Sequence, residues 1–170
     1  MEALPSVISR KKSSGTHVIS AGNLYRIIAD GKETDNRFSL METMLEPGQG
    51  APYHTHTYED EAFFILEGEV TFYLKDEEII ANTEDFVSCP PGVARGFRNN
   101  TNKTARMLLF YSSAGVEEMT VREGEAVDND SPAPSPKDSA PKAQCPVLAQ
   151  EYGITDSDIE LPDAPNQPDK

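Results

Sequence analysis

The feature that most constrains this chain is a succession of short apolar runs, each closed off by turn residues, between positions 17 and 122. The runs "HVISAGNLYRIIA", "RFSLMETMLEP", "EAFFILEGEVTFYL", "EEIIANTEDFVSCP" and "ARMLLFYSS" are rich in β-branched and aromatic residues and bounded by Gly, Pro, Asn or Asp. That is strand chemistry. No segment carries a 3.6-residue apolar period long enough for a helix. "LEGEV" and "LKDEE" place tight turns between runs and read as hairpins. "AFFIL" and "MLLFY" are apolar on both faces, as expected of strands buried inside a sandwich or barrel. The expected fold is therefore all-β, a sandwich, jelly roll or barrel. One domain is expected, since 170 residues suffice for one core and are short for two.

Composition divides the rest. Residues 1–16 are polar and read as an N-terminal arm, and 17–122 as the β-barrel. Residues 123–170 hold eight of the thirteen prolines, which marks 123–144 as a linker and 145–170 as a tail. Within the tail, "CPVLAQEYGI" places Pro146 at a first helical position and Val147, Leu148 and Tyr152 on an apolar face. A short helix docking on the core is expected there.

The formal net charge is −14, and no basic cluster exceeds "RKK" at 10–12. That excludes a phosphate-binding face and argues against nucleic acid as a partner. From Asp128 onward nine Asp/Glu face three Lys, an imbalance that serves solubility. No run is long enough to span a bilayer and the N-terminus lacks a secretory h-region, so no membrane and a cytoplasmic location are expected. Cys89 and Cys145 lie too far apart in sequence to read as a disulfide framework. Cys89 reads as a small buried hydrophobe, and the sequons at Asn99 and Asn102 carry no weight in a reducing compartment.

Two of the three histidines stand one residue apart, His54 and His56, in "YHTHTYEDEAFF". In a strand, residues i and i+2 share a face, so the two imidazoles project together. Glu61 follows after "TYED", polar enough to be a turn, and a chain reversal there brings its carboxylate opposite the histidines. Two imidazoles and a carboxylate suit iron, nickel, manganese or zinc and leave positions open for substrate. An HxH pair standing alone is more often a solvated strand end than a ligand pair. Glu59 and Asp60 read as solvated turn charges, and His17 as a surface or hydrogen-bonding residue.

The stretch does not stand alone. Gly48, His54, His56, Glu61 and Gly68, with five, one, four and six residues between them, match the first signature motif of the cupin superfamily without a gap. "EDFVSCPPGVARGFRN" (84–99) resembles the second motif through Asp85, Pro90, Gly92, Phe97 and Asn99, with Glu84 where that motif usually opens on glycine. The resemblance covers roughly residues 36–113, and the sequence looks most like the small single-domain cupins related to quercetin 2,3-dioxygenase. It implies a double-stranded β-helix enclosing a divalent transition metal on His54, His56, Glu61 and a fourth histidine. It also implies a homodimer. The fourth histidine is absent. Arg95 occupies its place, and a guanidinium has no lone pair to give.

Arg95 shares strand parity with Phe97 and should point inward. Two readings follow. Either the metal stays on three ligands and Arg95 holds an anionic substrate group, or Arg95 pairs with Glu61 and its charge disfavours a divalent ion. Phe63, Phe72, Phe86, Phe97, Met107 and Tyr111 are expected as core or pocket lining, with Phe63, Phe72, Phe97, Met107 and Tyr111 forming the substrate pocket. The leading functional expectation is an enzyme acting on a small aromatic or enolic metabolite inside the barrel, a metal-dependent dioxygenase with Glu61 removing the substrate proton. The alternative is a metal-free isomerase, dehydratase, cyclase or decarboxylase with Glu61 as general base and Arg95 stabilising developing negative charge. A third is a non-catalytic cupin that binds a small molecule.

Overall fold

The apolar runs form two antiparallel sheets in a computed structural model that describes residues 6–134 and 141–165. The first sheet has the spatial order β11 (Glu125–Val127), β1 (Thr16–Ser20), β2 (Asn23–Ala29), β3 (Ser39–Leu45), β10 (Ala105–Ser112), β5 (Asp60–Glu67) and β8 (Phe86–Cys89). The second has the order β12 (Ile154–Asp156), β4 (Gly50–His56), β9 (Arg95–Arg98), β6 (Glu69–Leu74) and β7 (Glu78–Asn82). The sheets close over one core as a double-stranded β-helix. Its wall alternates strictly: Met41, Thr43 and Leu45 of β3, and Ala105, Met107, Leu109 and Tyr111 of β10, face inward with solvent-side residues between them.

The two expected hairpins part company. "LKDEE" joins β6 to β7, which pair antiparallel. "LEGEV" does not make a hairpin, because β5 pairs with β10 and β8 while β6 pairs with β9 and β7. The chain turns a corner from one sheet to the other at Gly68, whose φ is +80°. A Cβ there would lie 3.1 Å from Ala105 Cα. The glycine serves a left-handed corner under close approach, and such a position looks like a hairpin turn from sequence alone.

Glu84, in the place of a motif glycine, also sits in the left-handed region, with φ +76° and an exposed side chain. Its N–H donates to Ile65 O at 2.9 Å, so the strained turn is held by the strand beside it. A non-glycine residue there costs about 1–2 kcal/mol. Glu84→Gly is expected to gain a net ~0.5–1 kcal/mol after the entropy of the more flexible unfolded chain is counted. A rise of roughly 2 °C in Tm checks this, and a fall would show that the turn carries no strain.

Among the described residues three helices accompany the strands: α1 (Gly31–Thr34), α2 (Val116–Glu123) and α3 (Pro146–Glu151). The sequence hides α2 because two of its four buried positions, Glu117 and Thr120, are polar. Glu117 is 4% exposed and accepts hydrogen bonds from the backbone N–H groups of Gly31 and Gly115. The boundary expected between 122 and 123 falls inside α2, and β11, within the expected linker, pairs with β1. In the tail, α3 starts at Pro146 and buries Ala149, with Leu148 and Tyr152 packed on the core and Val147 left exposed. β12 then pairs with β4, Leu161 lies against Gly96, and Arg98 donates to Pro162 O at 2.8 Å. Every residue of β9 is buried because the barrel covers one face and the tail the other.

Candidate metal centre and cavity

β4 carries His54 and His56 and β5 carries Glu61, so the ligands come from different sheets and face each other across the barrel rather than along a hairpin. Glu61 and His56 are each 1% exposed and His54 9%. Their ligating atoms lie within 4.8 Å of one another. His54 Nδ1 is 2.9 Å from the Pro52 carbonyl, and His56 Nδ1 is 3.1 Å from Glu59 Oε2. A carbonyl and a carboxylate only accept, so both Nδ1 atoms must donate. The Nε2 atoms then face Glu61 Oε2, at 3.8 Å from His54 and 3.7 Å from His56. These gaps are too long for hydrogen bonds. They are close to the ~3.4 Å between two ligands each about 2.1 Å from one tetrahedral ion. The donor set therefore fits a first-row divalent ion, with both rings oriented from behind by a carbonyl and a carboxylate.

Glu61 has two further partners. Arg95 Nε donates to Oε2 at 2.8 Å and Tyr111 OH donates to Oε1 at 2.8 Å. Burial alone would raise the Glu61 carboxyl, but the neighbouring His56, His54 and Arg95 side chains outweigh it and hold the group well below the usual carboxylate range. Burial, and then the charge of Glu61, push the Tyr111 phenol well above its ordinary value, so it remains a donor. Arg95 is fully buried, and its Nη1 donates to Val93 O at 2.6 Å. Its Nη2 has no hydrogen-bond partner among the described residues.

The cavity over this centre has a volume of about 40 Å³. His54, His56, Glu61, Phe97 and Tyr111 line it. Arg95 does not; it stands behind Glu61. Phe63, Phe72 and Met107, expected as core or lining, are core. Phe63 packs on Phe72 and Phe97 at ring-centroid distances of 4.7 and 5.5 Å. Phe86 is neither core nor lining: it is 65% exposed on β8, the last strand of its sheet, where its parity points it outward. Glu59 is no solvated turn charge but 4% exposed against His56, whereas Asp60 is exposed. His17 lines a separate cleft with Arg26, Glu42 and Arg106. Cys89 is buried beside the centre, in register with Glu61, and burial raises its thiol.

Several lining residues escaped the sequence reading because they lie outside the motif region. Asn23 and Tyr25 come from β2, and Asn23 Nδ2 donates to Gly50 O at 2.8 Å and to Tyr25 OH at 3.2 Å. Burial pushes the Tyr25 phenol up to about 12. Val116 comes from the start of α2, and Lys142, Gln144, Ile154 and Asp156 come from the tail. Among the described residues no helix is long and apolar enough to cross a membrane.

A two-sheet β-helix closed around a His-His-Glu centre defines a class of small barrel with an interior, metal-capable site. Residues 41–111 match the family described as Cupin domain. Over 102 residues the chain is 29% identical to quercetin 2,3-dioxygenase of Bacillus subtilis (strain 168). That match covers 60% of this chain but only 30% of the enzyme's length. Among solved structures, a predicted oxalate decarboxylase from Thermotoga maritima superposes with a TM-score of 0.57 at 18% identity, covering 63% of this chain and 99% of that one. The polyketide cyclase RemF from Streptomyces resistomycificus does so with 0.54 at 22% identity, covering 62% and 80%. At these identities the two structures establish the fold.

Proposed function

We propose that the barrel holds a divalent first-row metal on His54, His56 and Glu61 and oxidises a small, flat, acidic phenol or enol with O₂. The observation that carries this is the convergence of two Nε2 atoms, both with Nδ1 committed elsewhere, on one buried carboxylate oxygen. Three acceptors turned toward one point in a buried site call for a cation. The reading draws further on the similarity to quercetin 2,3-dioxygenase. A bound iron, nickel or manganese ion would supply the Lewis-acid and one-electron chemistry that ring oxidation by O₂ requires, whereas zinc would supply the Lewis acid alone.

The chain's own residues supply the rest. Phe97, Leu109, Val116 and Ile154 give the cavity apolar walls that suit a flat ring, while Asn23 and Tyr25 offer polar contacts. Glu61 accepts from Arg95 and Tyr111, and both donors stabilise its anion and make it a weak base. Its role is that of an anchor, so the expected proton removal by Glu61 loses support, as does the metal-free alternative that uses it as general base. A substrate acidic enough to arrive ionised needs no base.

Two measurements on protein without a His tag test the reading: metal content after reconstitution with Fe²⁺, Ni²⁺, Mn²⁺ or Zn²⁺, and oxygen uptake with flavonols. Near-stoichiometric metal and substrate-dependent uptake are expected. Retention of less than roughly a tenth of an equivalent would remove the metal and the dioxygenase together. Full metal occupancy without uptake would overturn the dioxygenase and favour a binding protein.

A further inference from the structure

We propose that Glu59 is a positioning residue that keeps this centre receptive to a divalent ion despite the arginine at its fourth corner. The inference rests on the metal reading and adds what that reading lacks, an answer to Arg95. Glu59 lies in the turn between β4 and β5, where Thr57 and Tyr58 are exposed, as is Asp60 at the start of β5. It alone turns inward. Burying a carboxylate is costly unless it is paired. Its hydrogen-bond partner among the described residues is His56 Nδ1.

Two consequences follow from that contact. The first is geometric. The Glu59 carboxylate fixes the His56 proton on Nδ1 and aims Nε2 at Glu61 Oε2. The second is electrostatic. Glu61 against Arg95 alone is a neutral pair, and a divalent ion added to it would bring two uncompensated charges into a buried site. With Glu59, two carboxylates against one guanidinium leave one negative charge. An added divalent ion then leaves one positive charge, and a monoanionic substrate neutralises it. The centre is thus matched to an ionised phenol or enol carrying a single charge, and the balance of the two carboxylates against Arg95 selects that charge.

The test uses the full chain, stripped of metal, with Zn²⁺ as probe in competition with a chromophoric chelator. Imidazole nitrogen NMR on the metal-free protein serves as a readout independent of activity. The wild type is expected to show His56 protonated on Nδ1 and unprotonated on Nε2. Glu59→Gln keeps an acceptor oxygen and removes the charge, so it should retain that tautomer while Zn²⁺ affinity falls about 10–100-fold. Glu59→Asp keeps the charge and should recover most of the affinity. Glu59→Leu should lose both the affinity and the tautomer. Zn²⁺ affinity of Glu59→Gln within about threefold of wild type would overturn the charge role. A wild-type His56 protonated on Nε2 alone would overturn the positioning. Wild-type protein that binds no Zn²⁺ yet shows the Nδ1–H tautomer would sink the metal reading and the charge role, and leave the positioning of His56 standing.

Discussion

Metal-free Arg95→Leu is expected to lose about 3–5 kcal/mol of stability, the cost of breaking a buried ion pair from one side. The guanidinium is wholly buried and donates to Glu61 Oε2 at 2.8 Å, and the carboxylate is itself 1% exposed. Leucine fills much of the space but leaves Glu61 with one neutral donor, Tyr111, and whatever protons the histidines bring. In a protein of this size the loss appears as a Tm lowered by roughly 6–20 °C. Because the remaining negative charge is then larger, added Zn²⁺ should stabilise Arg95→Leu more than it stabilises the wild type. A loss below ~1 kcal/mol would mean that Glu61 is compensated by some other route. An equal or smaller Zn²⁺ shift would mean that Arg95 does not oppose the ion.

Phe63→Ala should cost a similar amount, about 3–5 kcal/mol, for a different reason. Phe63 is fully buried, its ring packs against Phe72 and Phe97, and it does not touch the cavity. Its removal leaves a void in a three-ring cluster that spans both sheets, since Phe63 belongs to β5 while Phe72 and Phe97 belong to β6 and β9. Urea titration should show a lower midpoint with an unchanged slope. Zn²⁺ affinity measured below the transition should stay close to wild type. A variant that kept its stability and lost ligand binding would return Phe63 to the pocket wall.

Much of this architecture was legible in the sequence because it rests on short-range rules. Strand alternation put His54 with His56 and Arg95 with Phe97, and the motif spacing brought Glu61 to the histidines. What stayed hidden depends on which sheet a strand joins. Gly68 reads as a hairpin turn because a left-handed glycine between two apolar runs serves a hairpin and a sheet-to-sheet corner alike. Glu59 reads as a solvated charge because a turn between polar residues gives no sign that one side chain folds under. The aromatic residues could be assigned to the interior but not divided between core and cavity, since both lie on the inward face. Phe86 reads the same way, and its exposure follows from β8 being the last strand of its sheet. Cavity walls from β2, α2 and the tail come from segments far from the motifs, and no local pattern marks them.

The pairing of β12 with β4 has a consequence for how such a protein can change. The side chains that would grip an ion are spaced within a stretch of eight residues, 54 to 61, whereas Lys142, Gln144, Ile154 and Asp156 border the same chamber from nearly a hundred positions away. The His-His-Glu set and one part of the chamber wall are thus written in separate passages of the chain. Substitutions in the later passage can reshape that part of the chamber wall while the His-His-Glu set stays fixed.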